Sequence, residues 1–228
     1  MNDYDFLSGK FTPKEIQLIR KRMVESILMT DMATMKQMRE DFQLHLNNRG
    51  IQDRKNVDRI IDFTNEKTME KSKQLVSSVI LHSCDISTSL RDFETSITWA
   101  DLLFEEFFNQ GDMEKAQGLE ISMMCDRTTT NIAGGQAGFI QFVVLPIFYQ
   151  LAEISPEIEE LQIASGLKNI EKWKVRAEYE REVNEKEDRL NKKLEIIRKE
   201  EAQLIFSSGN VSVGKKDEEK EHDFSHHH

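Results

Sequence analysis

Apolar residues recur at Ile16, Ile19, Met23 and Ile27, and with slips at Met32 and Met35. That three-to-four spacing predicts an amphipathic helix. Thr12-Pro13-Lys14-Glu15 marks its start, with a capping threonine, proline at the first helical position and glutamate three residues on. Asn47-Asn48-Arg49-Gly50 tolerates left-handed backbone and ends it, so one helix is predicted from Pro13 to about Asn47. Its methionines are expected to fill an irregular core, a flexible binding surface being the alternative. A polar stretch to about Lys73 holds one apolar cluster, Ile60, Ile61 and Phe63, read as a short helix. A helix from about Asn65 to Cys84 follows, then a turn over Ser87–Asp92. Phe93–Gln110 reads as a helix stopped by Gly111, and Asp112 opens a short helical turn that Gly118 closes. Leu119–Gly135 keeps no period, yet Ile121, Met123 and Met124 are too apolar for a free linker, so an ordered loop is expected. Gln136–Ile154 is apolar all round, the pattern of a buried helix, with Pro146 expected to bend or interrupt it. Ser155-Pro156 repeats the start signal.

From about Gly166 the composition shifts to Glu, Lys and Arg. Val183, Leu190, Ile197 and Leu204 are spaced by seven, a seam that could pair as a coiled coil. The other core positions are mostly charged, so Lys168–Phe206 is expected to be a single, largely exposed helix. Ser207–His228 is polar and charge-rich, and disorder is expected there, including the closing His226-His227-His228. No segment reads as a strand. The predicted fold is all-α, a helical bundle with a long charged C-terminal helix.

Composition narrows the function classes. A net charge of −10 argues against a nucleic-acid surface and against attachment to an anionic membrane. No apolar span long enough for a bilayer stands out, and MNDYDFLSGK lacks the pattern of a secretory signal. Two cysteines, Cys84 and Cys125, make no disulfide framework. The expectation is a soluble, cytoplasmic chain.

The stretch Val79–Asp112 carries the candidate chemistry. His82 and Asp85 are three apart and share a helix face if the helix reaches Asp85. On spacing alone, such an Asp is a cap or a solvated helix end. The wording is more specific: His82-Ser83-Cys84-Asp85-Ile86-Ser87 is followed by Trp99-Ala100-Asp101, Glu105-Glu106-Phe107-Phe108 and Gln110-Gly111-Asp112. Gly118-Leu119-Glu120-Ile121-Ser122, Met124-Cys125-Asp126-Arg127 and Gln136-Ala137-Gly138-Phe139-Ile140 come next, and Leu28-Met29-Thr30-Asp31-Met32 lies upstream. In order and spacing these motifs resemble the C-terminal half of the catalytic domain of the 3′,5′-cyclic-nucleotide phosphodiesterases. The likeness fades after about Tyr179, dividing the chain into a catalytic-domain portion (1–179), a charged helical extension (180–206) and a tail (207–228).

The resemblance implies hydrolysis of cAMP or cGMP to the 5′-monophosphate with two divalent metals, zinc and magnesium or manganese. It makes Asp85 a metal ligand and Gln136 the partner of the purine edge. Phe139 would stack on the base, and Leu103, Phe104 and Met124 would line the pocket. Thr30, Asp31 and His82 would border it. The family's His-Asn-x-x-His and His-Asp-x-x-His motifs have no match, since no histidine pair before His222 has ligand spacing. The expectation is that this chain alone neither retains the metals nor hydrolyses cyclic nucleotides. Its implied partners are a cyclic nucleotide once the domain is completed and a missing N-terminal half-domain or helical partner. A non-catalytic interaction or assembly element is the alternative. Three departures bear on selectivity: Thr88-Ser89 where the family usually has Asn-Pro, Ser96 for a larger residue, and Met35 where a histidine is common.

Overall fold

The structure, a computed structural model, describes residues 7, 9–51 and 56–211, with side chains as far as Ile205. Among the described residues seven α-helices follow one another: α1 Pro13–Leu28, α2 Met35–Asn48, α3 Glu66–Asp85, α4 Phe93–Ala116, α5 Ile132–Phe139, α6 Leu145–Ala152 and α7 Ala164–Val211. No strand occurs among the described residues, so the fold is all-α. Two compact units divide between Ala177 and Glu178.

Several local expectations need correcting. The predicted first helix is two. Asp31 accepts the Ala33 N–H (2.9 Å) to cap a 3-10 turn over Met32–Thr34, and the Thr34 hydroxyl donates to the Asp31 carbonyl (2.8 Å). Such side-chain bonds offer the backbone an alternative to the helical ladder. The short helix expected near Ile60 is a single 3-10 turn, Val57–Arg59. Gly111 does not stop α4, which runs through it. A Cβ there would lie 2.0 Å from the Cys125 carbonyl oxygen, so this glycine is needed for close approach of the loop after α4. Gly134-Gly135 belongs inside α5, which begins earlier because Asn131 caps the Gly134 N–H (2.9 Å).

Pro146 acts as its chemistry predicts. Its missing N–H and its ring cannot fit a regular ladder, and a widened π turn over Ile140–Val144 separates α5 from α6. Against the expectation that no apolar span long enough for a bilayer stands out, the run Ile132–Ala152 has the length and mean hydropathy (1.5) of one. One face of it, including Ala137, Ile140, Val144, Ile147 and Leu151, is buried in the core of the first unit.

That core also takes Met35, Met38, Phe42 and Leu46 from α2 and Val79 from α3. Gln150 donates to the Arg39 carbonyl (3.1 Å) and to Gln43 (3.0 Å), tying α6 to α2. The start of α7 belongs to this core as well. Asn169, Ile170 and Trp173 are buried, and Phe93 meets Trp173 edge-on at 5.1 Å. The exposed part of α7 therefore begins later than Lys168. In the second unit α7 continues to Val211, five residues into the segment expected to be disordered; the rest, 212–228 with the terminal histidines, lies outside the described residues.

Candidate functional site

Asp85 is the last residue of α3. Asn65 caps the start of that helix with a reciprocal Thr68 bond, and the Ile86 N–H closes its end on the His82 carbonyl (3.2 Å). The Asp85 carboxylate is exposed there, while His82, one turn earlier, is fully buried. The helix reaches Asp85, so the two share a helical spacing, but their burial differs. His82 Nδ1 lies 3.1 Å from the Met29 carbonyl, which can only accept, so Nδ1 carries the proton. Nε2 is left buried without a partner. The bond ties the last turn of α3 to the segment holding Thr30 and Asp31. Asp31 is occupied in capping, and the Thr30 hydroxyl donates to the Ile27 carbonyl (2.8 Å).

The 3-10 turn after Asp85, Ser87–Leu90, is clamped from two sides. Ser96 on α4 donates to the Thr88 carbonyl (3.0 Å). Asn169 on α7, buried, donates to the carbonyls of Ser89 (2.9 Å) and Arg91 (2.8 Å) and to Ser96 Oγ (3.2 Å). Sequence reasoning missed Asn169. Its only signal was an uncharged amide at the head of a charged helix. The small side chain at Ser96, noted as a departure, is what lets this clamp form.

A second group gathers around the loop 119–131. Met124 has φ +69°, uncommon for a bulky side chain and a mark of a backbone held in place by its surroundings. The holding groups are identifiable. Glu114 accepts the Ser122 N–H (2.7 Å) and hydroxyl (2.7 Å). The backbone bond from Ser122 is the main reason its carboxyl sits below the ordinary glutamate value, with Gln110 and the Ser122 hydroxyl adding to it. Arg127 donates to Asp112 (2.8 Å) and Asn109 (2.8 Å) and covers the Phe108 ring at 5.2 Å. Its guanidinium is held above the usual arginine value by the Asp112 and Glu105 hydrogen bonds. The Met124 methyl comes within 3.1 Å of where a Gly135 Cβ would stand, which puts Met124 against α5 one residue before Gln136.

Gln136 is buried and Phe139, one turn on, packs partly buried against the core. On α4, Phe104 is buried between Phe107 and Phe108, with both ring centroids at 5.7 Å, while the neighbouring Leu103 is 42% exposed. The structure thus links His82 on α3 to Met29, next to Thr30 and Asp31, and sets Met124 against Gly135, next to Gln136. No hydrogen bond joins the two groups among the described residues.

A divalent metal centre typically uses about three or four protein ligands. Among the described residues no three His, Cys, Asp or Glu side chains gather to hold a metal ion. The donor set around Asp85 does not reach that number among the described residues.

Comparison with known proteins bears on what these groups belong to. A family model for 3′5′-cyclic nucleotide phosphodiesterase matches residues 2–165. The high affinity cGMP-specific 3′,5′-cyclic phosphodiesterase 9A of Homo sapiens is 32% identical over 168 residues, covering 74% of this chain and 25% of that protein. The dual specificity calcium/calmodulin-dependent 3′,5′-cyclic nucleotide phosphodiesterase 1 of Drosophila melanogaster is 36% identical over 149 residues, covering 64% of this chain and 15% of that one. The crystal structure of the phosphodiesterase domain of Salpingoeca rosetta rhodopsin phosphodiesterase aligns with a TM-score of 0.64 at 28% identity, over 78% of this chain and 50% of that one. The chain spans a quarter or less of those two curated relatives and half of that solved domain; with a family match over residues 2–165, it belongs to the 3′,5′-cyclic nucleotide phosphodiesterase family.

Proposed function

We propose that this chain is the substrate-recognition half of a cyclic-nucleotide phosphodiesterase catalytic domain and hydrolyses nothing until the other half is supplied. The observation that carries this reading is Asp85. It is an exposed carboxylate at a helix end, at the position that the resemblance makes a metal ligand, with no second and third donor beside it among the described residues. In a complete domain, divalent metals would supply Lewis-acid chemistry, with Asp85 as the one ligand this chain would offer them. This chain's own residues then have three tasks. Asp85 offers one ligand, held at the end of α3 by the Ile86 cap and followed by a turn clamped through Ser96 and Asn169. Gln136 offers an amide that can donate to and accept from a purine edge, and Phe139, one turn away, offers a ring face. Leu103, Phe104 and Met124 exclude water around the base. The relatives' names cover cGMP-specific and dual-specificity enzymes, so the substrate class is a 3′,5′-cyclic purine nucleotide.

A specific observation also supports the alternative, an assembly element. α1 exposes Leu18, Met23, Val24, Ile27 and Leu28 and buries only Ser26. Apolar side chains exposed in this number mark a surface that another protein covers.

The test is turnover of cAMP and cGMP by the purified 228-residue chain with zinc, magnesium and manganese, beside Asp85→Ala. The expected result is background turnover alone, and activity when the N-terminal half of a family catalytic domain is added, lost again with Asp85→Ala. Asp85-dependent turnover by the chain alone would overturn the incompleteness. No activity in the complemented mixture, despite demonstrable binding of the two halves, would favour the assembly element.

A further inference from the structure

The second unit holds a feature that the family assignment does not use. Every residue from 184 to 205 is exposed, including Leu190 (58%), Leu194 (42%) and Ile197 (48%). At about 100° per residue, Val183, Leu190, Leu194 and Ile197 fall within a sector of about 60°, one apolar stripe along α7. Helices in proteins draw most of their stability from packing such a stripe. The pairs Arg181–Glu178, Lys186–Glu182 and Arg189–Glu185 support the helix locally, but exposed pairs of this kind contribute little.

Charge along the same helix is segregated. Residues 178–188 carry six acidic and two basic side chains, net −4; residues 189–199 carry one acidic and five basic, net +4. The boundary falls between Asp188 and Arg189, inside the apolar stripe. A second copy laid parallel and in register sets like charge against like. A second copy laid antiparallel about that boundary sets each acidic segment against a basic one. The same arrangement places Val183 opposite Leu194 of the second copy, so the stripe pairs with itself.

We propose that α7 beyond the core is a self-association element, forming an antiparallel two-helix interface with a second copy of this chain centred between Asp188 and Arg189. Opposite-charge pairing fixes the direction, and the stripe supplies the buried surface. The sparse seven-residue seam, which a solitary helix leaves unexplained, becomes half of a symmetric interface.

The full chain at tens of micromolar is expected to sediment as a dimer, to dissociate on raising the salt concentration, and to become monomeric with Leu190→Asp while the first unit keeps its cooperative unfolding. Direction is read by cross-linking in a Cys84→Ser background. Val183→Cys and Leu194→Cys chains are mixed under mild oxidation. In the antiparallel pair, two residues numbered 183 lie about 16 Å apart along the axis, from 1.5 Å of rise per residue over eleven residues. A disulfide needs Cα atoms within about 7 Å, so mixed 183–194 cross-links are expected to exceed 183–183 cross-links by more than about tenfold. A monomeric wild-type chain, a dimer unaffected by Leu190→Asp, or dominant 183–183 cross-links would each overturn the proposal.

Discussion

Helices α1 and α2 are neighbours in sequence and read as one apolar pattern, yet they end in opposite environments. Four apolar side chains of α2, Met35, Met38, Phe42 and Leu46, are buried to between 0% and 6% exposure. α1 is at least as apolar, yet Ile27 is 59% exposed and Leu28 67%. α1 is attached to α3 mainly by polar links: Arg22 pairs with Glu70, and Gln74 donates to Ser26 Oγ (3.0 Å). Between them lies a cavity of about 610 Å3 lined by Leu18, Leu28, Met29 and Leu75 among others. The difference teaches that periodicity announces a face that wants covering, while cover depends on which surfaces the fold brings near. α2 is enclosed by α3 and α6. Among the described residues α1 packs chiefly on α3, and it carries apolar residues on more than one side.

The largest expected contrast comes from truncating one side chain on each helix. Phe42→Ala should destabilise the chain by about 3–5 kcal/mol in chemical denaturation. Ile27→Ala should stay within about 0.5 kcal/mol of the parent. An equal loss for the two would mean α1 is packed as tightly as α2 and the comparison fails. A smaller effect is expected at the start of α1. The Thr12 hydroxyl caps the Glu15 N–H, and Glu15 returns a bond to the Thr12 N–H (2.7 Å). Thr12→Ala should cost about 1 kcal/mol and raise amide exchange in α1 while leaving α2 unchanged. Equal acceleration in both helices would show that they unfold as one unit.

The smallest expected effect is in pH. Glu70 titrates below the ordinary glutamate value, chiefly through the Arg22 hydrogen bond, against the opposing pull of its burial. A depressed folded value means the contribution is present above the unfolded value, about 4.3, and is lost as pH falls through the folded one. Acidification below about pH 4 should therefore release α1 from α3, seen as exchange in α1 rising before that in α2. Glu70→Gln should abolish the difference, and its persistence in that variant would remove Glu70 as the cause.

Much of the fold was legible. The Thr12 capping box, the Asn65 start of α3, the Pro146 interruption and the all-α class follow from local chemistry: hydroxyl and amide caps, a missing N–H, apolar spacing. The motifs around Asp85 and Gln136 were legible as wording, and the family match agrees with them. Less legible were the elements whose form depends on a distant partner. Gly111 looked like a helix stop because its reason for being glycine, the Cys125 carbonyl, is fourteen residues away. Asn169 looked like surface because the carbonyls it serves, Ser89 and Arg91, lie across the bundle.

By itself, then, the sequence determined where α1 and α3 begin, where proline interrupts a helix, which faces are apolar and which family the motifs belong to. Each of these rests on interactions within a few residues or on linear order. Only the tertiary structure decided that α1 stays uncovered while α2 is enclosed, that His82 turns into the core while Asp85 remains outside, and that Ser96 and Asn169 brace the turn after Asp85. Those outcomes depend on which surfaces meet. Two residues of the same type at the same helical spacing can differ completely in that, because burial is a property of neighbours rather than of position along the chain.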